Sequence, residues 1–258
     1  MADPTGPQRA EATQLSRPAG FEPPIGADAP VMDVMATMRA MRRLKPDPVD
    51  PDLLREIVQA ATWAPSGSDA QQYGFVVVTD REPMAELAEL WRSCVETYQL
   101  MAGTVVPDFD DDRHARMAEA LRYQADHFAD TPALIAACYQ RSTPSAGALL
   151  DKRTRDLVKA LGPRGMADLA GGLRVSANLG EASSIYPAVQ NLLLAARAHG
   201  LAATMTIWHM FREKDFRRVL GLPKDMGLYA LVPIGWPEGN FGPVRRRPVD
   251  EVLHWQKW

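Results

Sequence analysis

"ATWAPSGSDAQQYGFVVVTD", Ala61–Asp80, is the stretch whose reading decides the fold. It falls into three parts. A helix closes at Ala61–Ala64, because Pro65 disfavours the α conformation of the residue before it. Pro65, Ser66, Gly67, Ser68 and Asp69 then make a polar loop of low bulk with accessible backbone N–H groups, where Gly67 would let a planar ligand approach the main chain. Asp69 and Gln71 offer side-chain hydrogen-bonding groups beside it. Tyr73–Val78 is apolar and β-branched, which predicts a buried strand. Taken alone, the loop reads equally as a ligand-facing segment or as a plain helix-to-strand connection.

Working outward, "DPDLLREIVQAATWA" predicts the helix that the loop closes. Asp50 is its N-cap, Pro51 its first helical residue, and Leu53, Leu54, Ile57, Val58 and Ala61 its apolar stripe. Upstream, "VMDVMATMRAMRR", 31–43, has methionines at helical spacing and predicts a helix. Arg39 and Arg42 would share one face of it, either to grip a phosphate or as a solvated basic face. Downstream, helices are expected over about 82–101 and 113–128, with the acidic "PDFDDDRH" between them exposed, and "PALIAACY" reads as a second buried strand. Residues 142–184, rich in Gly, Ser and Ala, are expected to be an excursion or lid containing one short helix, "DKRTRDLVKALG". "YPAVQNLLLAARAHG" predicts a helix with Pro187 in its first turn and Gly200 as its stop. "LAATMTIW" and "GLYALVPIGW" read as strands, with a short helix at "EKDFRRVLG". Four strands separated by helical segments predict an α/β or α+β sandwich.

The 258 residues suit one domain over 31–258, preceded by a Pro/Gly-rich arm over 1–30 that is either disordered or draped on another surface. A net charge of −3 gives no reason to expect nucleic acid or anionic membrane as a partner, and Arg245–Arg247 alone read as a basic tail. The first twenty residues lack a hydrophobic run, and no apolar stretch reaches transmembrane length. The two cysteines, Cys94 and Cys138, form no C-x-x-C pair, so a cytoplasmic location is expected. The sequence has no G-x-G-x-x-G after a strand, no Walker A loop and no G-x-S-x-G elbow, and its histidines are scattered. No metal site is expected. If the chain is an enzyme, an organic cofactor carries the chemistry.

Five segments in order, "MRAMRRL", "APSGSDAQQYGFVVV", "AVQNLLLAARAHGL", "VPIGWP" and "RRRP", frame most of the chain from Met32. Together they resemble the FMN-dependent nitroreductase superfamily, whose members carry R-R-S-x-R-x-F, A-P-S-x-x-N-x-Q-P-W, A-x-Q-N-L-x-L-A-A-x-x-x-G-L, a G-Y-P-like strand end and a terminal K/R-R-x-P. The look is nearest to the branch that includes iodotyrosine deiodinase and actinobacterial nitroreductases. The resemblance implies an α+β sandwich with a mostly antiparallel sheet flanked by helices, forming an intertwined homodimer with FMN at the interface. By position, Met38, Arg39, Ala40, Met41 and Arg42 would line the FMN phosphate and pyrimidine edge, and Arg246 would be a second phosphate clamp. Pro65–Asp69 would reach the flavin of the partner subunit. Met205, Thr206 and Ile207 would pass the flavin N5, with Thr206 or a backbone N–H as donor.

The chain departs from the pattern at Met38, Ala40, Asp69 and Tyr73, with Arg43, Arg245 or Arg247 as possible substitutes for lost phosphate contacts. The activity implied is ping-pong hydride exchange from NAD(P)H, NADPH slightly preferred, to a nitroaromatic or quinone-type small molecule, with no obligatory catalytic side chain. Tyr123, Phe128, Trp208 and His209 are candidates for the substrate wall. The alternatives are reductive dehalogenation, FMN breakdown, or a non-catalytic flavin-binding protein. "EALRYQADHFADTP" has no lysine, which argues against the amino-acid substrate of the deiodinase branch.

Overall fold

The computed structural model describes residues 25–101, 112–141 and 152–258. The arm up to residue 24, most of the acidic "PDFDDDRH" break and the first part of the 142–184 segment lie outside these residues. Helix α1 spans Val31–Thr37, α2 Pro51–Thr62, α3 Arg81–Leu100, α4 Asp112–Asp126, α5 Lys152–Ala198 and α6 Glu213–Val219. Strands β1, Tyr73–Val78, β2, Ala133–Gln140, β3, Ala202–Ala203, and β4, Met226–Gly235, form one antiparallel sheet in the order β1-β2-β4-β3.

Local signals place α2 where the sequence predicts it. Asp50 caps it by accepting from the Asp52 N–H at 2.8 Å, and Leu54, Ile57 and Ala61 are buried. The other end of the layer is equally legible. Gly200 takes φ +80°, the Leu201 N–H reaches the Ala196 carbonyl and the Gly200 N–H the Arg197 carbonyl. That pair of bonds is a Schellman stop, which needs a left-handed residue at that point.

Three expectations change. First, α1 ends at Thr37 rather than Arg43, and Met38 is extended. Continuing the helix would require the Ala36 carbonyl for Ala40, but it accepts from the Val244 N–H at 2.9 Å. The Met41 N–H likewise goes to the Ala203 carbonyl, and Leu44 bridges Pro237. Residues 38–45 are therefore an extended flank of the sheet, and Arg39 and Arg42 share no helix face. Second, α5 runs through Pro187, with only Gly162 (φ 62°) outside helical geometry. Burial of Ile185, Ala188, Val189 and Leu192 holds the helix together where proline forfeits one backbone bond. The described part of the 142–184 segment is thus helical and leads directly into the core helix. Third, β1 is an edge strand with Val77 exposed, not one buried on both faces.

Two cores lie on the two faces of the sheet. Ala133, Ile135, Ala137 and Tyr139 of β2 pack with α2 and α5; Leu134, Ala136 and Cys138 pack with α3, α4 and Phe128. In β4 the pairing Ala137↔Ala230 is followed by Cys138↔Leu228, so Tyr229 is an extra residue. This bulge shifts the alternation: Leu228 joins the α3 side and Ala230 the α5 side.

Candidate functional site

The sheet end where the extended 38–45 flank meets β3 and β4 carries a cleft of about 190 Å³. Arg42, Trp91, Gln124, Thr204, Met205, Thr206, Ile207 and Trp208 contribute to its wall. Three donors around it are unmet. The Arg42 guanidinium makes no hydrogen bond or ion pair to any described residue, and burial alone lowers its pKa from the usual arginine value. It still carries its charge at neutral pH. The Thr204 Oγ1 and Trp91 Nε1 are buried with no partner among the described residues. Buried polar groups are rarely left so, and a cation with two neutral donors suits an acceptor-rich, anionic ligand.

The backbone explains how these groups meet. The Met41 N–H bond to Ala203 lays 38–45 beside β3. With alternation along an extended chain, Met41 is buried, Arg42 turns to the cleft, and Arg43 turns away to an ion pair with Glu119 at 3.2 Å. Arg43 also stacks over the Tyr123 ring at 4.2 Å. Arg39 donates to the Asn240 carbonyl at 3.1 Å, and the Val244 N–H is tied to Ala36. The arginine flank and the approach to Arg245–Arg247 therefore run side by side. Arg246 is exposed and donates to the Arg245 carbonyl at 2.9 Å. Met38 packs against the α5-side core, and Ala40 is exposed.

Met205 and Ile207, on the cleft wall, are 42% and 39% exposed. Thr206 pairs in both directions with Leu231 at 2.9 Å, so its N–H is taken. Its hydroxyl accepts from the Trp208 N–H at 3.4 Å and retains its own proton for donation. Trp208 lines the cleft and is fixed by stacking on Tyr98, with centroids 3.7 Å apart, and on Trp91 at 5.8 Å.

The other wall candidates fall differently. Phe128 and His209 are buried and form no part of the cleft wall: Phe128 packs on Trp91, and His209 Nε2 lies 3.0 Å from the Leu228 carbonyl. Tyr123 lies between Arg43 and His127, with its hydroxyl donating to Glu238 at 2.9 Å. It borders a smaller recess that shares Arg42 and Gln124 with the cleft.

Among the described residues, the cleft wall contains none of Pro65–Asp69. That loop is held instead against α5, where the Ser184 Oγ accepts from the Gly67 N–H at 3.0 Å. Ser68, Asp69 and Gln71 have φ of 54°, 50° and 49°, the left-handed region that side-chain-bearing residues seldom enter. The Ser66 Oγ accepts from the Gln71 N–H at 3.0 Å, and Asp69 accepts from the Gln71 side-chain amide at 2.8 Å.

Sequence reasoning missed Trp91, Gln124 and Thr204. Thr204 adjoins the predicted 205–207 run and was within reach. Trp91 and Gln124 sit on helices whose periodicity marks them only as core. Among the described residues no group of three or more His, Cys, Asp or Glu is placed to hold a metal, and no helix is long and apolar enough to cross a membrane.

A four-stranded antiparallel sheet between helical layers, with unmet donors at one end, defines an α+β scaffold with a cleft suited to an anionic ligand. The family model described as "Nitroreductase family" matches residues 35–236, and the chain belongs to that flavin-dependent family. A relative from Thermus thermophilus, described as an NADH dehydrogenase, is 29% identical over 233 residues, covering 89% of this chain and 99% of its own. Among solved structures, iodotyrosine deiodinase bound to FMN and 3-iodo-L-tyrosine superposes with TM-score 0.63 at 17% identity, covering 88% of this chain and all of its own. A BluB-like flavoprotein from Clostridium difficile 630 superposes with TM-score 0.63 at 20% identity, covering 88% and 99%. At these identities the structures establish the fold alone.

Proposed function

We propose that the chain holds FMN against the Arg42 cleft and serves as an NAD(P)H-dependent reductase of electron-poor small molecules, nitroaromatics or quinones. The observation that carries this reading is the unpartnered Arg42 guanidinium beside the unmet Thr204 and Trp91 donors. FMN, when bound, would supply the two-electron hydride chemistry between NAD(P)H and the acceptor. Arg42 would contribute a fixed positive charge beside the bound cofactor and so favour its anionic form. Arg39 and Arg246 hold the phosphate. The Thr206 hydroxyl offers a donor to the ring edge, while Met205 and Ile207 provide the apolar floor and Trp208 a rigid wall for the incoming reactant.

The same reading calls for a homodimer. Pro65–Asp69 stands away from the cleft in its own chain and would complete the site of a second copy, covering the exposed Met205 and Ile207. NADPH is favoured slightly over NADH as donor. A reducing, cytoplasmic setting suits the two free, buried thiols of Cys94 and Cys138.

The test is the visible spectrum of the purified protein, followed by NADPH and NADH titrations under nitrogen and re-oxidation with a nitroaromatic or a quinone. A flavin band that bleaches with NADPH and returns with the acceptor is the expected result. A colourless protein whose melting temperature does not respond to FMN overturns the reading.

A further inference from the structure

The loop Pro65–Gln71 holds three non-glycine residues in the left-handed region, at φ 54°, 50° and 49°. Such a conformation is unfavourable for a residue with a side chain and persists only where surrounding contacts over-determine it. The bonds Gln71 N–H to Ser66 and Gln71 side chain to Asp69 lie within the loop and move with it. Among the described residues, the hydrogen bond that ties this loop to α5 is Gly67 N–H to Ser184 Oγ, 3.0 Å. Ser184 is 2% exposed, and its hydroxyl donates back to the Gly180 carbonyl at 3.3 Å, which orients the oxygen lone pairs toward Gly67.

One helical turn earlier, Glu181 accepts a hydrogen bond from the Tyr229 hydroxyl. Tyr229 is the extra residue of the β4 bulge, and the bulge sends its ring toward α5. Tyr186, also on α5, donates to the Tyr229 carbonyl at 3.3 Å. The turn of α5 that bears Ser184 is thus pinned to the sheet on both sides.

We propose that Ser184 is a positioning residue that holds the Pro65–Gln71 loop in its cofactor-binding conformation, with Tyr229 of the β-bulge fixing, through Glu181, the turn of α5 from which Ser184 acts. This rests on the assignment of the loop to the FMN site. The pinned turn lies at the end of the described part of the 152–184 helical segment, so that segment's placement is coupled to the loop.

The test uses the full chain, with and without FMN. Ser184→Ala removes the acceptor, Ser184→Thr keeps it, and Tyr229→Phe removes only the hydroxyl. Amide exchange of the peptide spanning residues 64–72 is measured on the apo-protein, FMN affinity by fluorescence quenching, and global stability by melting. Ser184→Ala is expected to expose the Gly67 and Gln71 amides to faster exchange and to weaken FMN binding by about five-fold, the scale of one lost neutral hydrogen bond. Ser184→Thr restores both. Tyr229→Phe quickens exchange in the same peptide although it touches no loop residue.

Unchanged exchange in Ser184→Ala overturns the tie. Faster exchange with wild-type FMN affinity overturns the link to cofactor binding. A wild-type protein that takes up no FMN refutes the functional reading instead, and the exchange experiment still decides whether Ser184 holds the loop.

Discussion

Replacing Arg42 with methionine should move ligand binding and folding in different ways. The guanidinium is partly buried at the cleft and has no partner among the described residues, so it contributes no pairing energy to the folded apo-protein. Methionine keeps the packing of the stem. The apo-variant should therefore melt within about 3 °C of wild type or above it, the shift that roughly 1 kcal/mol produces in a chain of this size. FMN binding should fall. A hydrogen bond to a charged group is worth about 1.5–3 kcal/mol, which is about 10- to 150-fold in Kd. Added salt should weaken the wild type more than the variant, because only the wild type presents this charge to the ligand. Titration of tryptophan fluorescence with FMN reads the affinity, since Trp91 and Trp208 line the cleft; differential scanning fluorimetry reads the stability. An affinity within about two-fold of wild type refutes the role given to Arg42. A large loss of apo stability would mean the guanidinium is a structural group, which its lack of partners argues against.

Asp69→Asn preserves the oxygen that accepts from Gln71 and places at φ 50° a residue type that tolerates that region well. It should bind FMN at least as tightly as wild type by the same titration; a clear loss would show that the loop is misassigned. Burial holds the His209 pKa below the ordinary 6.5, so the unfolded chain binds more protons than the native one as pH falls below that value. Its share of stability is present above about pH 6.5 and is lost toward the lower native pKa, at up to about 1.4 kcal/mol per pH unit. Urea unfolding on either side of this window should show that slope, and His209→Gln should flatten it; equal slopes would discard the argument. Cys94 and Cys138 are both pushed up to about 11 by burial. A disulfide reagent at about pH 8 should leave both unmodified until urea is added, and rapid labelling of the native protein would contradict this.

Much of the architecture was legible because its signals are local. Asp50, Pro51 and Pro65 bracket α2, and Gly200 stops α5, each by constraining its own or a neighbouring dihedral or cap. The alternating and continuous apolar runs located β2 and β4 for the same reason. The resemblance to a known family pointed to Arg42 and the 205–207 run, which line the cleft and which local physics alone did not connect to a ligand.

Tertiary structure decided the rest, because the deciding partners lie far away in the chain. Methionine spacing favours a helix through Arg43, yet Val244 takes the Ala36 carbonyl and Ala203 the Met41 N–H, so the arginines are laid out along an extended flank. Trp91, Gln124 and Thr204 meet Arg42 only when α3, α4 and β3 pack around one sheet end. The Pro65–Gln71 loop is tied to a serine on α5, and that turn of α5 is bonded to a tyrosine at the extra residue of β4. Sequence by itself determined those starts, stops and strands whose signals are caps and dihedral constraints between covalent neighbours, such as Asp50, Pro65 and Gly200. Which side chains converge, and which donors are left unmet to seek a ligand, was settled by long-range backbone bonds and burial.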